Sequence, residues 1–360
     1  MSRIFIVDLE AVESRYTGEW KSHLPLILTE LGHTITIIDG PSDIPAATTP
    51  GAFLNFGGTN IYKSVQVEKI SRLFTSGEVK ANDHFLFTDA WHPGIINLKY
   101  MSELLQIPVT IHALWHAGSY DPQDFLGRLI GDAPWVRYAE RSFFHAIDHN
   151  YFATDFHIEL FCEELLGCSV GLRENHENDK IVRTGWPMEY MPSTLSEYQD
   201  LPKRDLILFP HRIAPEKQVE IFKDLAKQLP QYEFIVCQEQ QLSKHEYHTL
   251  LGQSKIVFSA NLQETLGISC YEGAIVGAIP MVPNRLSYSE MYFDEFKYPS
   301  EWTEDFESYQ NHKDDICDRI IQYMNTYEQL NTTIENQVLK LNDGFFTGKK
   351  LYGYFGHITR

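Results

Sequence analysis

Glu264 and Glu272 stand eight residues apart around Gly267, and a second glycine, Gly277, and Pro280 follow. The residues between the two acids read as a loop that runs into a short helix. One carboxylate therefore comes from the loop and the other from the helix behind it. The helix N-terminus between them offers free backbone N–H groups and a positive dipole end to an anion. Upstream, Arg212 and Lys217 follow an apolar run at 206–209. They fall on a loop and the first turn of a helix, a guanidinium fork and a point charge suited to a diphosphate. Carboxylates grip hydroxyls, so the set suits a sugar carried on a diphosphate. Two acids at this spacing recur by chance in a chain with 49 of them. The preceding strand, the two glycines and the upstream cation pair set this pair apart.

The elements that position these residues read as α/β throughout. Apolar runs at 4–7, 34–38, 52–56, 84–88, 109–114, 150–153 and 181–183 are expected strands, with helices at 19–31, 65–74 and 95–105. A second series follows, with strands at 206–209, 233–237, 256–259 and 279–282. Its helices are at 217–229, 244–251 and 268–276, and a helical tract spans 314–341. The alternation implies parallel sheets wrapped by helices. The expectation is two Rossmann-like, doubly wound domains facing across a cleft. The first spans 1–190, a Pro-punctuated linker 191–204, and the second 205–342. The tail at 343–360 is expected to pack back on the first domain. Open sheets of this kind bind ligands at the carboxyl ends of their strands.

The composition bounds the partners. With 360 residues the chain can bury two cores. Five cysteines without a C-x-x-C or zinc spacing fit a reducing cytoplasm. No apolar run approaches a membrane span or a secretory signal, so no membrane partner is expected. The formal net charge of −19 opposes broad nonspecific affinity for nucleic acid, though not a local basic groove.

These residues carry a resemblance. Arg212-Ile-Ala-Pro-Glu-Lys217 resembles the R-x-x-x-x-K diphosphate motif of the family-four GT-B glycosyltransferases, Glu264 to Glu272 resembles their E-x7-E motif, and Gly277-Ala-Ile-Pro280 resembles the turn that follows it. The resemblance implies a GT-B fold and a retaining transfer of a hexose or pentose from a nucleotide sugar, UDP-sugar first. It implies no cofactor and no metal, and no Asp-x-Asp metal motif stands out. Glu264 would then contact the transferred sugar and Glu272 the nucleotide ribose. Arg212, Lys217 and the N–H groups of Gly267 and Ile268 would neutralise the leaving diphosphate. The glycine pair often found after the family's first strand is missing. Only Gly18 is nearby, so the phosphates would meet this loop differently.

The acceptor side is read from the first half. The strand 106–112 resembles the one ending in the family's active-site histidine, and both His112 and His116 are candidates. His92 is a further candidate, expected like them at a strand end, and Trp91, Trp115 and Tyr120 nearby could stack a sugar or a base; each could equally be a packed structural residue. The stretch 283–290, a loop with Arg285 and Glu290 that could face the donor, and the pair His211-Arg212 are similar to tRNA-queuosine mannosyltransferases. This similarity, with aromatic residues able to stack an extruded base, points to a hydroxymethylated pyrimidine in DNA, as in phage DNA-glycosylating enzymes acting in the host cytoplasm. Lys99, Arg128, Arg137 and Arg141 could supply the basic strip. A glycan or small metabolite as acceptor, or a non-catalytic nucleotide-sugar-binding protein, are the alternatives.

Overall fold

Apolar runs such as Ile4–Val7 and Phe85–Phe87 are buried on both faces, as parallel strands covered by helices on both sides must be. In the computed structural model, which describes residues 2–10, 16–44, 54–168 and 180–356, they belong to the first of two units. That unit comprises Met1–Pro187 with Gly348–Arg360; the second is Met188–Thr347.

The first unit runs β1 (Arg3–Val7), α1 (Thr17–Glu30), β2 (Thr34–Ile38), α2 (Phe56–Thr75), β3 (His84–Phe87), α3 (Gly94–Leu104), β4 (Thr110–Leu114), α4 (Phe125–Ile130), α5 (Pro134–Ala146), β5 (His149–Phe152), α6 (Asp155–Leu160) and β6 (Ile181–Arg183). The strands form one parallel sheet in the order β2-β1-β3-β4-β5-β6. The expected strand at 52–56 is corrected. Ala52 and Phe53 lie outside the described residues, and Phe56 opens α2 instead. Asn55 decides this, because its Oδ1 accepts the Gly58 N–H at 2.8 Å and caps the helix.

The second unit runs α7 (Met191–Thr194), β7 (Leu206–Phe209), α8 (Val219–Gln228), β8 (Glu233–Val236), α9 (Lys244–Gln253), β9 (Ile256–Phe258), α10 (Ile268–Ile275), β10 (Ile279–Pro283), α11 (Tyr288–Met291), β11 (Lys297–Tyr298), α12 (Phe306–Thr326) and α13 (Asn331–Gly344). Its sheet is parallel, in the order β11-β10-β9-β7-β8. Phe209, Phe258 and Met281 from the sheet meet Phe222, Tyr309 and Ile316 from helices in its core. The residues expected as a linker are folded: Tyr198 is buried and its hydroxyl meets His245 Nδ1 at 2.9 Å.

The last helix, α14 (Lys349–Gly356), belongs to the first unit. Ser2 Oγ donates to Phe355 O at 2.7 Å, and the Phe355 ring packs against His33, His84 and His112. Residues 357–360 lie outside the described residues. Among the described residues no helix is long and apolar enough to cross a membrane.

Both sheets reverse strand order once, between β1 and β3 and between β7 and β9. Such a reversal opens a crevice at the carboxyl ends of the two strands, where open sheets of this type hold ligands.

Candidate functional site

Arg212 and Lys217 follow β7, and Glu264 follows β9, so all three flank the reversal point of the second sheet. The loop after β7 closes in a single turn at Pro215–Lys217 and then places Gln218 in the left-handed region at φ 53°. The Gln218 amide repays this strain by donating to Ala260 O and Thr303 O, both at 2.7 Å. The turn aims Lys217 Nζ at Gln263 O, 2.6 Å away, and at Glu264 Oε2, 3.3 Å away. Glu264 Oε2 also accepts from Asn261 Nδ2 at 3.2 Å. Gly267 then begins α10 at φ 74°, and a Cβ there would sit 2.6 Å from the Tyr288 ring. Glycine is therefore required twice at this position.

The two acids of the pair have opposite electrostatics. Burial works against ionisation of Glu264, but Lys217 and the N–H groups of Gly267 and Leu266 outweigh it and hold the carboxyl below its ordinary range. Glu272, half-buried on α10, is pushed up to about 7 by burial, against the opposing hydrogen bond from Tyr247. The Tyr247 hydroxyl donates to Glu272 Oε2 at 2.8 Å. Glu264 is thus a fixed anion, while Glu272 titrates near neutrality. Arg212 forms an ion pair with Glu216, whose side chain is fully buried. His211 is buried and pushed down to about 3, so it is neutral at pH 7.

The Arg285 guanidinium is taken up by backbone carbonyls. It is an internal rivet, donating to Asn261 O at 2.7 Å, Ala260 O at 2.8 Å, Ser300 O at 2.9 Å and Thr303 O at 3.1 Å. It therefore holds the loop that carries Glu264. Asn261, Gln218, Tyr247 and Tyr288 were not foreseen as parts of the site. Their contacts join segments distant in sequence, which local spacing does not reveal.

In the first unit the structure separates the two histidines. His112 lies in mid-strand on β4, not at its end. It is fully buried, bonded to His84 Nδ1 at 2.9 Å and Tyr151 Oη at 2.7 Å, under the Phe355 ring. His116 lies two residues beyond β4 and is half-buried. Its Nε2 meets Thr88 O at 2.6 Å and its Nδ1 meets Tyr16 Oη at 2.5 Å. Tyr16, Trp20 and Trp186 surround its ring. Asp89, after β3, pairs with the buried Lys63 at 2.9 Å.

The other acceptor-side candidates are bonded within the first unit. Trp115 is fully buried, with Nε1 donating to Asn150 Oδ1 at 2.8 Å. Tyr120 is fully buried and bonds His157 Nε2 at 2.6 Å. His92 is buried between Gln66 and the Gly94 N–H and is pushed down to about 3. Trp91 is half-buried and donates to Glu140 at 2.9 Å. Gly18 sits in the first turn of α1, where a Cβ would meet nothing within 4 Å and φ is not positive. This conformation does not itself demand glycine there. Ile268 opens α10, so its N–H is one of the free donors of that helix end. Among the described residues no group of three or more His, Cys, Asp or Glu side chains is arranged to hold a metal ion.

No protein-family model and no curated protein matches the sequence. Solved structures do match over nearly the whole chain. Sucrose-phosphate synthase from Thermosynechococcus elongatus is similar with a TM-score of 0.62 at 10% identity, covering 99% of this chain and 98% of its own. The catalytic domain of starch synthase IV from Arabidopsis thaliana, bound to ADP and acarbose, is similar with a TM-score of 0.58 at 12% identity, covering 99% and 98%. HepE from Anabaena, in complex with UDP and glucose, is similar with a TM-score of 0.57 at 11% identity, covering 99% and 100%. Two parallel six- and five-stranded sheets, matched end to end by these structures, give this chain the GT-B glycosyltransferase fold.

Proposed function

We propose that this protein is a retaining glycosyltransferase that moves a sugar from a nucleotide sugar, UDP-sugar first, to an acceptor hydroxyl. The observation that carries the reading is the meeting of Lys217, Glu264 and the α10 N-terminus at the reversal point of the second sheet. The ionised Glu264 accepts hydroxyls of the transferred sugar. Lys217, Arg212 and the N–H groups of Gly267 and Ile268 take up charge on the departing diphosphate. Glu272 holds the ribose. The bond from the anomeric carbon to the β-phosphate oxygen breaks, the acceptor oxygen bonds on the same face, and its proton leaves on the diphosphate. On the acceptor side, His116 is the first unit's candidate for general acid–base work at a hydroxyl. UDP and ADP in similar structures support the donor class. The site's own cations carry the phosphate charge, so neither metal nor cofactor enters the scheme.

For the acceptor we favour a hydroxymethylated pyrimidine in DNA. Exposed residues of two helices support it: α4 carries Arg128, and α5 carries Arg141, Trp135 at 57% and Tyr138 at 68%, cations and stacking rings suited to nucleic acid. A DNA acceptor places the enzyme in the cytoplasm, that of the host if it is phage-encoded. The rival, a glycan or small metabolite, is supported by buried Asp8 and Glu10 just beyond β1, which would accept hydroxyls and repel phosphates. The test is transfer from a panel of nucleotide sugars to hydroxymethylated duplex, unmodified duplex and simple sugars. Label on the hydroxymethylated duplex alone is the expected result. Label on sugars alone gives the rival reading, and nucleotide binding without transfer or donor hydrolysis makes the chain a sensor.

A further inference from the structure

We infer that Tyr247 is the positioning residue for Glu272, and that the pair together reads the ribose of the donor nucleotide. The inference rests on the donor site proposed above and adds a residue to it. Tyr247 lies in the first turns of α9, which Ser243 and Glu246 lock with a capping box. Its hydroxyl donates to Glu272 Oε2 at 2.8 Å. Glu272 Oε1 takes no hydrogen bond among the described residues, and the side chain is half-buried. One oxygen is thus fixed by the protein, and the other is left for a hydroxyl. A vicinal diol such as ribose suits a carboxylate held this way, because fixing Oε2 also fixes the direction in which Oε1 accepts.

The surroundings leave Glu272 as the group that titrates. Tyr247 and Lys244 face it from α9, Cys237 from the turn after β8, and Cys270 and Tyr271 from its own helix. Burial pushes Cys237 and Cys270 up to about 12, and pushes Tyr247 and Tyr271 above the usual tyrosine range. These four stay neutral from pH 6 to 9, and Glu272 changes charge at about 7. The Tyr247 hydrogen bond favours the carboxylate. Its loss therefore moves Glu272 further up and leaves less of the hydroxyl-accepting form at neutral pH.

The test measures UDP and ADP binding to the full chain by calorimetry at pH 6, 7 and 8.5, with 2′,3′-dideoxyuridine diphosphate as the probe lacking the diol. Tyr247→Phe is expected to weaken the preferred nucleotide about tenfold at pH 7 and about twofold at pH 8.5. It should leave the dideoxy probe unaffected. In turnover the change should fall on donor KM and not on kcat, because the ribose is gripped equally in ground and transition states. A merely structural tyrosine would not produce a deficit that alkali repairs. If Glu272→Gln weakens the nucleotide while Tyr247→Phe binds as wild type at every pH, the role of Tyr247 is overturned and the donor site stands. If Glu272→Gln itself binds UDP and ADP unchanged, the ribose assignment and this inference fall together.

Discussion

Among individual residues, the two acids of the spaced pair part company. Glu264 keeps its charge because Lys217 and two backbone N–H groups offset its burial. Glu264→Gln is isosteric but gives up that charge, and is expected to lower kcat at least about 100-fold. UDP affinity should change little, which calorimetry beside turnover checks. Glu272 carries the pH dependence. Its folded-state value of about 7 lies above the usual carboxyl value of 4.5. The folded state therefore binds the extra proton between those limits, and stability falls as pH rises through that window. Glu272→Gln abolishes the ionisation and should melt above wild type at pH 8, by about 2 °C or more. The gap should close by pH 5, where both side chains are neutral in the folded state. Thermal melts across that range decide it; an equal difference at both pH values would remove Glu272 as the source. The carboxylates and cations were legible in the sequence because motif spacing is local. Their unequal electrostatics were not, because Tyr247 and Lys217 reach the pair from other helices and turns.

For the secondary elements, what matters is where a residue falls relative to a strand end. His116 lies past β4 among Tyr16, Trp20 and Trp186, whereas His112 lies within the strand, beneath Phe355. Four residues of sequence thus separate a half-buried histidine beyond the strand from a core residue within it. His116→Ala is expected to lower kcat of the folded protein about 100-fold, beyond any loss of stability from its bonds to Thr88 and Tyr16. His112→Ala should do the reverse, costing about 2 kcal/mol of stability in a denaturant titration with the turnover of the folded fraction retained. The same logic applies to the start of α10. Gly267→Ala forces a side chain into a left-handed backbone position and against the Tyr288 ring. A loss of about 1–3 kcal/mol and weakened UDP binding are expected, and a denaturant titration with calorimetry measures both. Most elements were legible from apolar runs and turn residues, with β2, β6 and β7 starting and ending where expected. The stretch at 52–56 was misread because a short apolar run cannot distinguish a strand from a helix start. Asn55, a capping residue two before Gly57-Gly58, was the signal that could have found α2.

Over the whole molecule, the chain's end belongs to the unit formed by its beginning. Phe355 of α14 covers His33, His84 and His112, and Tyr354 packs on His149 and Tyr151. Removing residues 349–360 bares these rings and is expected to lower the melting temperature of the first unit. UDP binding by the second unit should be retained. Scanning calorimetry with and without UDP checks both; a truncated chain that melts as wild type would show that α14 adds no stability. By itself the sequence determined the alternation of strands and helices and the order of cations, glycine and acids. Periodicity and spacing are properties of neighbours along the chain. The tertiary structure decided which histidine is core, that Arg285 is a rivet and that Glu272 titrates near neutrality. Burial and hydrogen bonding are set by residues brought together from distant segments, and no local window contains both partners.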